Sequence, residues 1–372
     1  MNKIRVFVNY PKYSRSQSTD IKYMQNFFNL NQDSSIEVFY NKSLLSAWIF
    51  DLASRLKRSP RITSIFKEWL PWVKNAHDFL SLRIIIFPWQ VLNVDVVISY
   101  RFFPCIIGNN NRIPIILCGA FNSNQYAGVS SDEERLGQLQ VISKFNSLSK
   151  FVVFSAKEQV QHFNSLCSEF RYKIVYIPKL LPQTSQYITI SASEVSAKFR
   201  EYEKINIIFV GREGKRKGLF EFLEALKLLS QSKLNQFLKD KVSIDIITQD
   251  SFDNLSDINI NHYQSLSQKE TLELMQKSHI FCLPTKRDSY GLVYIEAMAS
   301  GCAIIADNQS PRTEILQHGK CGMLIDPNNV SQIATAIEKL LTQPYFASQL
   351  ALAAYQRFTK MYSYERTKNK YL

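Results

Sequence analysis

Short runs of β-branched and aromatic residues recur along the first half of the chain, separated by longer polar or amphipathic stretches. Ile4 to Val8, Ile84 to Phe87, Val94 to Ser99, Ile113 to Cys118, Phe151 to Ser155 and Ile174 to Ile177 are mostly apolar rather than alternating. That is the pattern of strands covered on both faces in a parallel sheet. From Lys179 to Lys204 the chain turns Ser-, Thr- and Gln-rich, with Pro178 and Pro182 at its start, and then charged, which predicts an inter-domain linker. The alternation then restarts. Strands are expected at Ile205 to Val210, Val242 to Thr248, His279 to Leu283, Ala303 to Ala306 and Met323 to Ile325. Between and after them, helical periods cover Leu219 to Leu229, Gln268 to Lys277, Val293 to Ser300, Val330 to Leu341 and Pro344 to Lys360. Two successive β/α series predict an α/β protein of two Rossmann-like, doubly wound domains facing a central cleft. The expected boundaries are 1–180 for the first domain, 181–204 for the linker, 205–345 for the second domain and 346–372 for C-terminal helices.

A length of 372 residues suits two domains. Hydrophobic content of 45% and charged content of 21% exclude a disordered or fibrous chain. The longest apolar stretch, Ile84 to Ile98, is broken by Pro88, Gln90, Asn93 and Asp95, short of the roughly 18 residues a membrane span needs. The N-terminus runs straight into a strand-like pattern without a leader-type apolar run, so a cytoplasmic location is expected. The six cysteines are scattered without a C-x-x-C pair, which predicts neither a structural metal nor a redox dithiol. The net charge of +13 is concentrated in the first half and would attract nucleic acid, anionic lipid or phosphorylated ligands alike.

Glycine placement narrows the chemistry. The first glycine is Gly108, so the turn after the opening strand, Asn9 to Lys12, cannot be a G-x-G-x-x-G pyrophosphate turn. Glycines concentrate instead between Gly211 and Gly322. Gly211-Arg212-Glu213-Gly214-Lys215-Arg216-Lys217-Gly218 joins a strand end to a helix start, where cations and a helix N-terminus can converge on an anion. A solvated basic loop is the plainer reading of the same residues. Pro284 to Gly301 forms the second cluster: Asp288 on a loop, Gly291 where backbone can approach a ligand, then a helix carrying Glu296 among apolar neighbours. A carboxylate accepts both hydroxyls of a vicinal diol, and the N–H groups between Gly291 and Val293 face an anion. Alternatively, Asp288 merely caps the helix and Glu296 decorates it. The five histidines read as packing or surface residues, with His262 and Tyr263 placed to border a base pocket.

These clusters resemble the nucleotide-sugar-binding domain of the GT-B glycosyltransferases of family 4, the group 1, retaining class. Its G-R-x-x-x-x-K-G pattern is met by Gly211, Arg212, Lys217 and Gly218. Its P-S-x-x-E-x-F-G-L-x-x-x-E-A-M-A-x-G pattern is met from Pro284 to Gly301, with Asp288 for the first acid, Tyr290 for Phe and Thr285 for Ser. Glu314 to Leu316 and Gly322 to Ile325 also resemble family segments, whereas residues 1–170 resemble it weakly. In the first domain the family's glycine pair after the first strand is missing, as is its histidine near Cys118 to Asn122.

The resemblance implies sugar transfer from a nucleoside-diphosphate sugar (UDP-, GDP- or ADP-linked) with retained anomeric configuration. The acceptor would be a glycan or lipid-linked hydroxyl in cell-surface polysaccharide synthesis. Catalytic roles fall on Arg212 and Lys217, which would neutralise the leaving diphosphate in place of a metal, and on Asp288, which would hold donor-sugar hydroxyls. Donor binding falls on Gly211, Tyr290, Gly291, Leu292, Val293 and Glu296, the last on the ribose diol. No cofactor or metal is implied, and the helices over 346–372 would return towards the first domain.

Residues 44–89 suggest peripheral docking on an anionic membrane. Trp48, Trp69, Trp72 and Trp89 are interleaved there with Arg55, Lys57, Arg58, Arg61, Lys67, Lys74 and Arg83. A solvated cationic face over an aromatic core explains the same composition. Three competing functions remain. One is a catalytically inactive GT-B-like scaffold, and a second is an epimerase or phosphorylase of that fold. The third is a basic nucleic-acid-binding protein, although no zinc finger, helix-turn-helix or RNP-like strand is present, so nucleic acid is not an expected partner.

Overall fold

The computed structural model describes residues 4–9, 36–40, 84–86, 94–99, 104–106, 114–119, 151–166, 174–179, 181, 190–200, 203–253, 255, 258–286, 288 and 290–363. The chain divides into two units, Met1–Ile177 and Pro178–Leu372. In the first, β1 (Ile4–Asn9), β2 (Ile36–Tyr40), β4 (Val96–Ser99), β6 (Ile115–Gly119), β7 (Phe151–Phe154) and β8 (Ile174–Tyr176) form a parallel sheet in the order β2-β1-β4-β6-β7-β8. Helix α1 (Lys157–Leu166) crosses from β7 to β8. The expected strand at Ile84 to Phe87 does not join this sheet. As β3 (Ile84–Ile86) it pairs in parallel with β5 (Pro104–Ile106) in a separate two-stranded sheet. The tryptophan-rich stretch 44–89, apart from 84–86, lies outside the described residues.

The second unit holds β9 (Ile205–Val210), β10 (Val242–Ile247), β11 (Asn259–Tyr263), β12 (Ile280–Leu283), β13 (Ala303–Asp307) and β14 (Met323–Ile325). They run in parallel in the order β11-β10-β9-β12-β13-β14. Counted from its own first strand this is 3-2-1-4-5-6, the Rossmann order. The direction of travel across the sheet reverses between β9 and β12, so the crevice at the carboxyl ends of those two strands is where such a sheet takes its ligand. β9, β12 and β13 are buried almost throughout because helices cover both faces, which explains their unbroken apolar runs.

Of the linker expected at 181–204, residues 182–189 and 201–202 lie outside the described residues, and the described stretch 190–200 belongs to the second unit. Helix α2 (Ala192–Lys198) starts on a capping box, with the Ser191 hydroxyl accepting from Glu194 N–H and the Glu194 carboxylate accepting from Ser191 N–H. Fully buried Val195 packs over Gly301. The Lys198 ammonium donates to the carbonyls of Ser278 (2.7 Å), Ser300 (2.9 Å) and Gly301 (3.2 Å), the orphan carbonyls at two helix ends. Of the serines that read as linker composition, Ser191 caps this helix and Ser193 and Ser196 lie within it. The remaining helices are α3 (Gly214–Lys217), α4 (Leu219–Ser230), α5 (Asn235–Lys241), α6 (Gln268–Lys277), α7 (Leu292–Ala299), α8 (Arg312–Ile315), α9 (Val330–Thr342) and α10 (Pro344–Met361). Helix α10 packs on α2, α7 and β13 of its own unit. Residues 364–372 of the expected return lie outside the described residues.

Candidate functional site

The central strands β9 and β12 deliver the two motif loops to one place. At the end of β9, Gly211 donates its N–H to Ile247 O at 2.9 Å. A Cβ on Gly211 would stand 2.7 Å from Lys217 Cγ, so the missing side chain makes room for the Lys217 stem. The single turn α3 then closes at Gly218 in the left-handed region (φ 78°), where a Cβ would fall 2.0 Å from Pro284 O. The two loops therefore touch backbone to backbone. Lys286 N–H donates to Arg216 O at 2.9 Å, and the Thr285 hydroxyl donates to the same carbonyl at 3.4 Å.

This docking brings the Lys217 ammonium onto the Asp288 carboxylate as an ion pair, with the two side chains 11% and 17% exposed. Burial alone would raise the Asp288 pKa. The charge and hydrogen bond of Lys217, with Arg312 and Arg216 behind it, outweigh burial and hold the carboxyl below its usual range. Arg216 itself folds back on Glu213, with Nε–Oε2 at 2.9 Å and Nη2–Oε1 at 3.1 Å. Arg212 is exposed on the same turn. The structure thus joins two of the three expected catalytic residues, Lys217 and Asp288, and leaves Arg212 at the surface beside them.

Beyond Asp288, Tyr290 is buried: its hydroxyl accepts from Lys179 N–H at 3.2 Å, and the Lys179 ammonium lies 5.2 Å over its ring. Gly291 takes φ 92° and starts α7; a Cβ there would meet the Tyr294 ring at 2.6 Å. Leu292 is buried and Val293 half-buried. Glu296, 8% exposed in an otherwise apolar helix, accepts from Gln268 Nε2 at 3.1 Å. His262 and Tyr263 lie within β11 rather than after it. His262 Nε2 donates to Thr248 O at 3.1 Å with its ring 4.7 Å from Phe252, and Tyr263 reaches Asp245 at 3.5 Å.

Sequence reasoning missed a buried cluster behind the Asp288 loop. Arg312 is fully buried and grips Asp307 with a two-pronged fork. Its third nitrogen, Nη1, donates to Asp288 O at 2.9 Å. The Tyr294 hydroxyl donates to Leu283 O at 2.7 Å and lies 3.4 Å from Asp307 Oδ2. Burial alone would lower the Arg312 pKa, but the hydrogen bonds and charge of Asp307 push it up, so the guanidinium stays cationic. The signal available in the sequence is an Asp closing a buried strand with an Arg five residues on.

Residues 192–357 match the family model described as glycosyl transferases group 1. An uncharacterized 41.2 kDa protein in the cps region of Klebsiella pneumoniae is 33% identical over 135 residues, which cover 35% of this chain and 36% of that protein. Alpha-1,3/1,6-mannosyltransferase ALG2 of Homo sapiens is 25% identical over 182 residues, covering 44% of this chain and 43% of that one. The chain thus spans less than half the length of these curated relatives. Among solved structures, sucrose-phosphate synthase from Thermosynechococcus elongatus superposes with a TM-score of 0.64 at 14% identity, over 99% of this chain and 97% of that one. Anabaena Alr3699/HepE in complex with UDP-glucose superposes with a TM-score of 0.57 at 12% identity, over 99% and 98%. These neighbours are GT-B glycosyltransferases, and the likeness is one of fold. Within that fold, residues 192–357 form a domain of the group 1 glycosyltransferase family.

Proposed function

We propose that this chain is a retaining glycosyltransferase moving a sugar from a nucleoside-diphosphate sugar to an acceptor hydroxyl. The observation that carries the reading is the meeting of Lys217 and Asp288 at the carboxyl ends of β9 and β12, the ligand crevice of a Rossmann-ordered sheet. Relatives support the donor class: the Anabaena neighbour holds UDP-glucose, and the human relative is named a mannosyltransferase.

In the reaction the acceptor oxygen forms a bond to the anomeric carbon while the bond from that carbon to the diphosphate oxygen breaks. The acceptor proton passes to the departing phosphate oxygen on the same face, which retains configuration. Lys217, with exposed Arg212 at the same turn, would stabilise the charge that develops on the diphosphate, and no metal is then required. Asp288 would accept from hydroxyls of the donor sugar and Glu296 from the ribose diol. Backbone N–H groups from Tyr290 to Val293 would face the phosphates. Gln268 Nε2, donating to Glu296 Oε1 at 3.1 Å, would help orient that carboxylate.

The acceptor would be a glycan or lipid-linked hydroxyl in cell-surface polysaccharide synthesis, a reading favoured by the relative from a cps region. No helix among the described residues is long and apolar enough to cross a membrane. A cytoplasmic enzyme held peripherally on anionic lipid through residues 44–89 fits both that observation and the tryptophan and cation content of the stretch. Thermal stabilisation by UDP, GDP, ADP and their sugars, followed by donor turnover in EDTA, tests the proposal. Binding without turnover would make the chain an inactive scaffold. No binding of any of the three diphosphates would defeat the reading.

A further inference from the structure

We infer that Arg312 is a positioning residue for the donor site, holding the backbone of Asp288 so that a short carboxylate reaches the sugar. The inference rests on the nucleotide-sugar reading above. All three guanidinium nitrogens are committed: Nε to Asp307 Oδ2 (2.8 Å), Nη2 to Asp307 Oδ1 (2.7 Å) and Nη1 to Asp288 O (2.9 Å). The anchor is rigid because Asp307, fully buried at the end of β13, also accepts from Gln309 N–H at 3.1 Å and faces Tyr294, whose hydroxyl is tied to the end of β12. Arg312 therefore connects β12, β13, α7 and α8 to one carbonyl on the site loop.

Stability alone does not account for this arrangement, since a buried ion pair replaced by apolar side chains of similar volume is often neutral or stabilising. What apolar side chains could not supply is the bond to Asp288 O. That bond matters most once a donor is bound. The diphosphate then competes for Lys217, and Asp288 loses the ammonium that now orients it. Only the backbone is left to aim its carboxylate. Asp is one methylene shorter than Glu, so the chain has less side-chain slack to absorb a shifted loop. A lysine at 312 would keep the charge but cannot span the Asp307 fork and the Asp288 carbonyl together.

The test compares wild type, Arg312→Lys, the double variant Asp307→Leu/Arg312→Met, and each of these with Asp288→Glu. The readouts are free nucleoside-diphosphate affinity by calorimetry and donor turnover. Arg312→Lys and the double variant are expected to keep diphosphate affinity within about twofold while kcat falls about tenfold or more, the scale of a misplaced reacting group. Asp288→Glu, harmful or neutral in wild type, should recover kcat several-fold in the Arg312 variants, because the longer side chain restores the lost reach. Wild-type kcat in Arg312→Lys, equal losses of affinity and kcat, or no recovery on lengthening the carboxylate would each overturn the inference. So would unfolding of both Arg312 variants, which would make the cluster purely structural. A wild-type chain that binds diphosphate but turns over no donor defeats the transferase reading instead, and with it the role assigned to Asp288.

Discussion

Lys217 and Asp288 neutralise each other across two loops, so on the proposed function donor binding would exchange one anion for another on a cation that is already largely buried. Lys217→Ala is expected to lower turnover about 100- to 1000-fold, the usual cost of one transition-state donor. Arg212→Ala should do the same if its exposed guanidinium folds in on the diphosphate, and steady-state kinetics on folded variants decides both. The two carboxylates should separate. Glu296→Gln weakens free diphosphate binding, whereas Asp288→Asn weakens sugar transfer more than diphosphate binding; equal losses of diphosphate affinity in calorimetry would reverse the roles. A third titratable residue acts on stability. His279 is buried with Nδ1 accepting from Asn206 N–H at 3.0 Å; burial first, then the nearby Lys198 charge, lowers its pKa from 6.5 to about 4. Its folded pKa lies below the unfolded one, so the neutral ring contributes stability above pH 6.5 that is lost as pH falls towards 4. By linkage about 2 kcal/mol of that contribution is gone by pH 5. Urea denaturation of wild type and His279→Gln at pH 7 and 5 should show the wild type losing more stability on acidification. Parallel losses would remove His279 as the cause.

At the level of elements, the site depends on two loops that cannot be separated by even one methyl group. Gly218→Ala would place a Cβ at positive φ and 2.0 Å from Pro284 O, whereas Gly319→Ala, also at positive φ (90°), meets its nearest atom at 3.8 Å. Left-handed strain alone costs about 1–2 kcal/mol. The Gly319 variant should lose about that much in urea denaturation, and the Gly218 variant clearly more, with donor binding impaired as well. Equal losses would mean that the loops move apart without cost. Elements with strong periods are legible in the sequence: α6 occupies the residues its period marks out, and α4, α7, α9 and α10 do so to within a residue or two. Strand β11 is not legible, because an edge strand reading Asn-Ile-Asn-His-Tyr has one exposed side and little apolar run. Helix α2 escapes a sequence reading for a different reason: a capping box and a linker share the same residue types, and only packing of Val195 and Lys198 tells them apart.

For the whole molecule, the two sheets differ in a way that matters for ligand binding. The second has the full Rossmann order, with both glycine-bearing loops at its reversal point; the first reverses between β1 and β4, where the chain has no glycine to let backbone approach a phosphate. A nucleoside diphosphate should therefore bind the second unit. At 100 times its Kd it should add about 2.7 kcal/mol to stability, with or without EDTA. Loss of that stabilisation in EDTA and its return with Mn²⁺ would show that the cations of the turn do not suffice. If residues 44–89 dock on lipid, the protein should co-sediment with anionic liposomes at low salt and be released at high salt. Changing Arg55, Lys57, Arg58 and Arg61 to Ser should weaken this. A wild-type protein left in the supernatant with every liposome at low salt would point to a soluble acceptor.

By itself the sequence determined the class of fold, the strands and helices of the second unit with strong periods, and the residue types at the site. Those follow from local chemistry: apolar runs need two covered faces, and turns with little room need glycine. Which groups meet was decided by tertiary structure alone. Lys217 and Asp288 become partners only because β9 and β12 are neighbours in the sheet, and the Gly218 backbone fits only against Pro284. The assignment of 190–200 to the second unit also needed the fold, as did the placement of Ile84–Ile86 outside the main sheet. So did the role of Arg312, whose three nitrogens find acceptors on Asp307 and the distant Asp288. A fully buried arginine is tolerable only where such partners converge, and convergence of distant segments is a property of packing that no local pattern encodes.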